Sequence, residues 1–148
     1  MGASPYFYTV DYEPDANHAL QKLRTREFQA GRYNPAEMFP DFPADENSPA
    51  PGARHDSIEE AMEAADADGT RSILDLTEVG DEPEYGTAAR LKPKDLIAIF
   101  GTDKPDGASV EENLGELLAI IERGQGIYLT IYENEKPSKL FFAGYSYD

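Results

Sequence analysis

This 148-residue sequence holds two histidines, His18 and His55, the residue type best suited to general acid–base work at neutral pH, so they are the first candidates for it. On a helix that begins at Ala16, His18 falls about 200° from the apolar stripe and faces solvent. His55 stands between Arg54 and Asp56, just ahead of a helix start, where a catalytic or pH-sensing role is open to it. The other candidate base is Glu27. It falls about 20° from the centre of the stripe made by Ala16, Leu20 and Leu23, and a carboxylate on a core face needs a partner. One reading has an arginine of the run Lys22, Arg24, Arg26, Arg32 neutralise it, which would make Glu27 with Arg24 or Arg32 the leading polar site. The simpler expectation is that the helix loses its period in its last turn.

With 29 acids in the chain, carboxylate pairs at glycosidase-like separations would arise by chance and carry no information. The motifs that would carry it are absent: no Gly-x-Ser-x-Gly, His-Glu-x-x-His, Gly-x-x-x-x-Gly-Lys-Ser/Thr or Gly-x-Gly-x-x-Gly. Ala64-Ala65-Asp66-Ala67-Asp68-Gly69 imitates part of a calcium loop. Aligned on Gly69, however, it puts Ala64 at the first ligand position and Asp75 where a bidentate glutamate belongs. The segment reads better as a helix end with a glycine stop, and neither a metal nor a cofactor is expected.

Charge is distributed unevenly. Between Asp41 and Glu84 there are 14 acids against Arg54 and Arg71, a net −12 of the chain's −16. Within it, Glu59, Glu60, Glu63 and Asp66 gather on the outer face of a helix opening at Ser57, where like charges crowd without local compensation. These four residues are the expected partner-binding surface, able to steer a basic protein toward it. A solubility surface or salt adaptation would look the same, and only six lysines leaves the latter open.

Tyrosines form the remaining anomaly. In Ile127-Tyr128-Leu129-Thr130-Ile131-Tyr132 the aliphatic residues share one strand face, leaving Tyr128, Thr130 and Tyr132 on the other. Cross-strand packing explains such a face; alternatively it receives the Met38–Phe42 loop or a partner.

The elements that must position these groups are legible in part. Tyr6 to Tyr12 reads as a strand with Tyr6, Tyr8, Val10 and Tyr12 on one side, and Asp15 caps a helix over 16–30 that Gly31 stops. Residues 32–55 carry five prolines and form a long loop, pinned by Met38, Phe39 and Phe42 in its first half and mobile over 45–52. Ser57 and Glu60 make a capping box for a short helix to about Ala67. Ser72–Leu76 reads as a strand, 79–90 as irregular, and Pro93 opens a helix that ends at Gly101. Ser109 starts what reads as one helix running to Gly124, with Val110, Leu114, Leu117, Leu118 and Ile121 as its stripe. Ile127–Tyr132 and Lys139–Tyr145 make a hairpin around a four-residue turn, Asn134–Pro137. The expected fold is a single α+β domain: a small, mostly antiparallel sheet closed by a C-terminal hairpin, with three to four helices packed on it and a long proline-rich loop.

No apolar run approaches the ~20 residues of a membrane span, and residues 1–10 lack the basic start and apolar stretch of a signal peptide. A soluble cytoplasmic protein is expected. The absence of cysteine excludes disulfides, Cys-ligated metals and thiol nucleophiles, and a pI near 4.3 argues against direct nucleic-acid or membrane binding. The leading expectation is a non-enzymatic acidic interaction module that binds and blocks a basic protein, with the electrostatic logic of immunity proteins and DNA mimics. The alternatives are a small carboxylate-dependent hydrolase or transferase with a pocket under the proline-rich loop, served by His55 or Glu27, and a homo-oligomer joined through the tyrosine face.

Overall fold

The computed structural model describes residues 3–38 and 40–147, and in it the C-terminal hairpin lies inside a five-stranded sheet. The elements run β1 (Pro5–Asp11), α1 (Ala16–Ala30), α2 (Ile58–Ala65), β2 (Glu78–Gly80), β3 (Thr87–Arg90), α3 (Pro93–Phe100), α4 (Gly107–Glu112), α5 (Leu114–Ala119), β4 (Gly126–Glu133) and β5 (Lys136–Tyr145). The strand order is β1-β5-β4-β3-β2. β5 pairs antiparallel with both β1 and β4, while β3 lies parallel to β4 and to β2, so the α+β sheet is mixed. The antiparallel ladders are the longer ones. The proline-rich loop contributes no strand to this sheet, and its Tyr33, Ala36 and Ala44 join the core.

β5 is an internal strand, covered on both faces, and both of its alternating side-chain sets are apolar. Leu140 and Phe142 join a core with α1, Tyr6 and Tyr8 on one face, whereas Phe141 and Ala143 join Val110, Leu117 and Ile121 on the other. Tyr6 and Tyr8 are completely buried, as their place in the β1 alternation requires. Burial pushes both phenols well above the usual tyrosine range. Tyr8 accepts a hydrogen bond from the Ile73 amide (3.1 Å), whereas the Tyr6 hydroxyl has no partner among the described residues.

α1 and α3 occupy their expected spans, each stopped by a glycine with positive φ. Four segments differ from expectation. Ser72–Leu76 is no strand but a 3₁₀ turn over Ile73–Asp75, because short polar side chains satisfy its backbone locally. Ser72 Oγ accepts from the Leu74 amide and the Asp75 carboxylate from the Thr70 amide (2.8 Å). Residues 79–90, expected to be irregular, contribute β2 and β3; Ala88 and Ala89 have weak strand propensity and are recruited by pairing. The expected long helix is two. Asp106, not Ser109, is the N-cap, and the chain breaks at Asn113, whose side chain donates to the Ser109 carbonyl (2.9 Å). The hairpin turn is two residues, since Glu133 already pairs with Lys136 and both Asn134 and Glu135 have positive φ. That is the turn geometry whose twist matches the strands.

The loop also differs in its second half. Phe42 packs among Tyr6, Phe7 and Tyr8 as an apolar pin, with ring centroids 5.2–6.5 Å apart, while Met38 is exposed and Phe39 lies outside the described residues. Residues 45–52, expected to be mobile for lack of apolar anchors, are held by polar ones. Arg32 donates to the carbonyls of Ser48 (3.2 Å) and Pro49 (3.4 Å), and the Gly52 amide bonds the Ala30 carbonyl (2.8 Å). A side chain at Gly31 would collide with that same Gly52 backbone, so glycine is required there twice, for its φ of +74° and for this approach.

Candidate interaction surface

Glu27 is wholly buried, and α1 keeps its period to the end, which overturns the expected fraying. What makes the burial tolerable is a pair of arginines. Arg32 grips the carboxylate through two nitrogens, Nε at 2.9 Å and a terminal nitrogen at 2.6 Å, and Arg26 adds Nε at 2.9 Å. Arg32 is itself buried, and Glu27 holds its guanidinium above the usual arginine range. The outer ends of both arginines bind loop carbonyls, Arg26 that of Ala44 (3.0 Å) and Arg32 those of Ser48 and Pro49. Glu27 is therefore the centre of a clamp between α1 and the loop.

Arg24 is not part of that clamp. It points to the other side of α1, where it donates to the Leu74 carbonyl (3.1 Å) and Gln21 Oε1 (3.0 Å) and touches the Met62 sulfur (3.7 Å). Burial lowers its pKa, while Glu59 and Asp75 act the other way. It anchors α2 to α1 and the 3₁₀ turn, and so fixes the orientation of the acidic face.

On that face Asp56, Glu59, Glu60, Glu63, Asp66 and Asp68 are all exposed, and no basic residue interrupts 56–68. Ala61 and Ala65 point inward against the core. Local compensation does exist, contrary to expectation. Ser57 Oγ accepts from the Glu60 amide (3.2 Å), Glu60 accepts from the Asp56 amide (3.1 Å), and Glu59 and Glu60 sit in the first turn, where the helix dipole favours anions. Asp66, at the C-cap with φ of 56°, turns the chain into a 3₁₀ turn that Gly69 ends. Elsewhere in the acidic stretch Asp75 is buried and Asp81 and Glu82 pair with Arg90 (3.4 Å) and Lys92 (2.5 Å), while Asp41, Asp45, Glu46, Glu78 and Glu84 are exposed. The densest run of exposed carboxylates in the stretch, six within 56–68, lies on α2 and the segments flanking it.

His55 contacts the buried Tyr33 hydroxyl through Nδ1 at 2.7 Å; that hydroxyl accepts from the Arg54 amide (3.2 Å), and Tyr33 stacks on Phe28. Glu27 and His55 do not converge. The two clefts beside the loop, of about 420 and 690 Å³, are lined by neither residue. His18 is exposed and bonds Glu13 at 2.5 Å.

Tyr128 packs on Phe142 with centroids 5.8 Å apart, and Tyr132 lies 6.0 Å from the Lys104 ammonium. Both line a cleft of about 270 Å³ near the start of α1, with Tyr12, Thr130 and Arg90. Of the Met38–Phe42 loop, Phe42 is seated on β1, and none of the loop's described residues lines the cleft beside Tyr128 and Tyr132.

Asp75, expected within a strand and as a poor match for a calcium ligand, is instead a buried acceptor. Its Oδ1 accepts from both the amide and the hydroxyl of Thr70 (2.8 Å each) and Oδ2 from the Arg71 amide (3.3 Å); burial raises its pKa. The signal was the Thr-x-Ser-x-x-Asp spacing of Thr70, Ser72 and Asp75, typical of side chains that bond their own backbone. Among the described residues, no three acidic or histidine side chains come together as a metal site, and no helix is long and apolar enough to cross a membrane. Compared with known proteins, the chain matches no family model, no curated protein and no solved structure.

Proposed function

We propose that this protein is a non-enzymatic interaction module that binds a basic protein partner through Glu59, Glu60, Glu63 and Asp66, and blocks the surface it covers. The observation that supports the reading is a capped helix whose outward carboxylates, with those of the segments flanking it, put six acids and no base into 56–68 and make no ion pair among the described residues. Such a surface attracts a positively charged partner at long range and loses it as salt screens the field over a Debye length of ~8–10 Å.

The test compares the wild-type chain with Glu59→Gln/Glu60→Gln/Glu63→Gln as bait in a lysate of the source organism, at low and high salt. A basic protein retained by the wild type at low salt, released at high salt and not retained by the variant is the expected result. Equal retention by the two baits would move the interface away from α2, and no basic protein on the wild type would remove the reading.

A further inference from the structure

β1 is an edge strand, and from Thr9 to Asp11 its outer edge is flanked by two clefts. The larger, about 690 Å³, opens on the α4–α5 face and is mainly apolar, with Phe7, Val110, Leu114 and Phe141 in its wall. The smaller, about 420 Å³, opens on the α1 face and is polar, with Lys22, Arg26 and Glu46 in its wall. Thr9, Asp45 and Lys139 line both, so the clefts meet around the sheet edge. Phe42 closes the Tyr6–Tyr8 end, which leaves Thr9–Asp11 as the accessible length.

The charges there are unequal in their commitments. Lys139 is held by Asp11 (2.6 Å), Lys22 by Glu13 (3.2 Å) and Arg26 by Glu27 (2.9 Å). Among the described residues Glu46 and Glu111 are exposed and make no ion pair, and the Asp45 carboxylate accepts from its own turn, from the Asn47 amide and the Ser48 hydroxyl. Cations are used up and anions are left over.

An extended chain sends successive side chains to opposite faces, so one laid against β1 would place alternate residues in the apolar cleft and in the polar one. We propose that the Thr9–Asp11 edge binds an extended segment of a partner polypeptide in which apolar and basic residues alternate. The backbone adds to the sheet, the apolar side chains enter beside Val110 and Phe141, and the basic ones meet Asp45 and Glu46. A second copy of this chain is a poor occupant, since it would bring another −16. The site is separate from α2 and does not depend on the function proposed for that face.

Two labelled synthetic peptides of identical leucine–lysine composition, one alternating and one with its leucines and lysines in separate blocks, test this by fluorescence anisotropy on the full chain. The alternating peptide is expected to bind about ten-fold tighter, a gap of ~1.4 kcal/mol. Ala108→Trp, at an exposed position in the wall of the apolar cleft, should erase that advantage with the circular dichroism spectrum unchanged. Amide hydrogen exchange on the wild type supplies a check that needs no variant: the peptide should slow exchange within Thr9–Asp11. Equal affinities for the two peptides, an unaffected Ala108→Trp, no added protection at β1, or binding lost only in Glu59→Gln/Glu60→Gln/Glu63→Gln would each overturn the edge site.

Discussion

The last turn of α1 and the outer face of α2 carry the two charge anomalies of this chain, and the fold treats them in opposite ways. At α1 one carboxylate is taken out of water and met by two guanidiniums, one of them buried. At α2 carboxylates stay in water, steadied by a cap and a helix dipole rather than by cations. A charge enclosed with its partner is structural, because it cannot be exchanged for another without opening the core. A charge left in water near others of its sign is available to something outside the molecule.

Removing one member of the enclosed set should have the largest effect. Glu27→Ala strands Arg32 in a buried site and frees both arginines from the geometry that holds Ala44, Ser48 and Pro49. Breaking a buried pair from one side costs about 3–5 kcal/mol. Urea denaturation should show a loss of that size, and limited proteolysis should find new cuts within 44–52. A loss below about 1 kcal/mol would mean that the clamp is incidental and that Phe42 and the Gly52–Ala30 bond suffice to seat the loop.

Asp75 sharpens the contrast, being enclosed with neutral donors instead of a salt bridge. Asp75→Ala leaves the Thr70 amide buried without its acceptor, at a cost of about 1–3 kcal/mol, whereas Asp75→Asn keeps an oxygen for it and should cost less. The pH dependence separates burial from pairing. With its pKa raised in the folded state, Asp75 binds its proton more readily folded than unfolded, so it penalises the fold once ionised and stops doing so as pH falls through the raised value. Thermal melts from pH 7 to pH 4 should therefore show the wild type gaining on Asp75→Asn as pH falls. The opposite trend would mean that the Thr70 and Arg71 donors outweigh burial.

The exposed set should matter least for stability. Charge crowding alone would make Glu59→Lys/Glu60→Lys/Glu63→Lys neutral or stabilising. The structure reverses that sign, because first-turn carboxylates each contribute about 0.3–1 kcal/mol through the dipole. A modest fall in melting temperature is expected, far below that of Glu27→Ala. A larger fall would place α2 in the same structural category as the clamp. Sodium chloride up to about half-molar should raise wild-type stability slightly by screening the self-repulsion of a −16 chain. A falling curve would mean that the ion pairs outweigh the repulsion.

What the sequence determined by itself was local. The spans of α1 and α3, the Ser57 cap, the glycine stops at Gly31 and Gly101 and the shared side of Tyr6 and Tyr8 all follow from groups a few residues apart, and all are present, whereas the stop expected at Gly124 is not, since α5 already ends at Ala119. The doubly apolar pattern of Leu140–Ala143 likewise implied a strand covered on both faces. Tertiary structure decided what depends on distant partners. β2 and β3 exist because neighbouring strands supply hydrogen bonds that their own residues do not favour, and Arg32 rather than Arg24 holds Glu27 because only the turn at Gly31 brings it back over the carboxylate. The edge cleft was illegible for the same reason. Its walls come from β1, the loop near Asp45 and α4, and no local spacing records that a hydrogen-bonded sheet and an arginine clamp will bring those segments side by side.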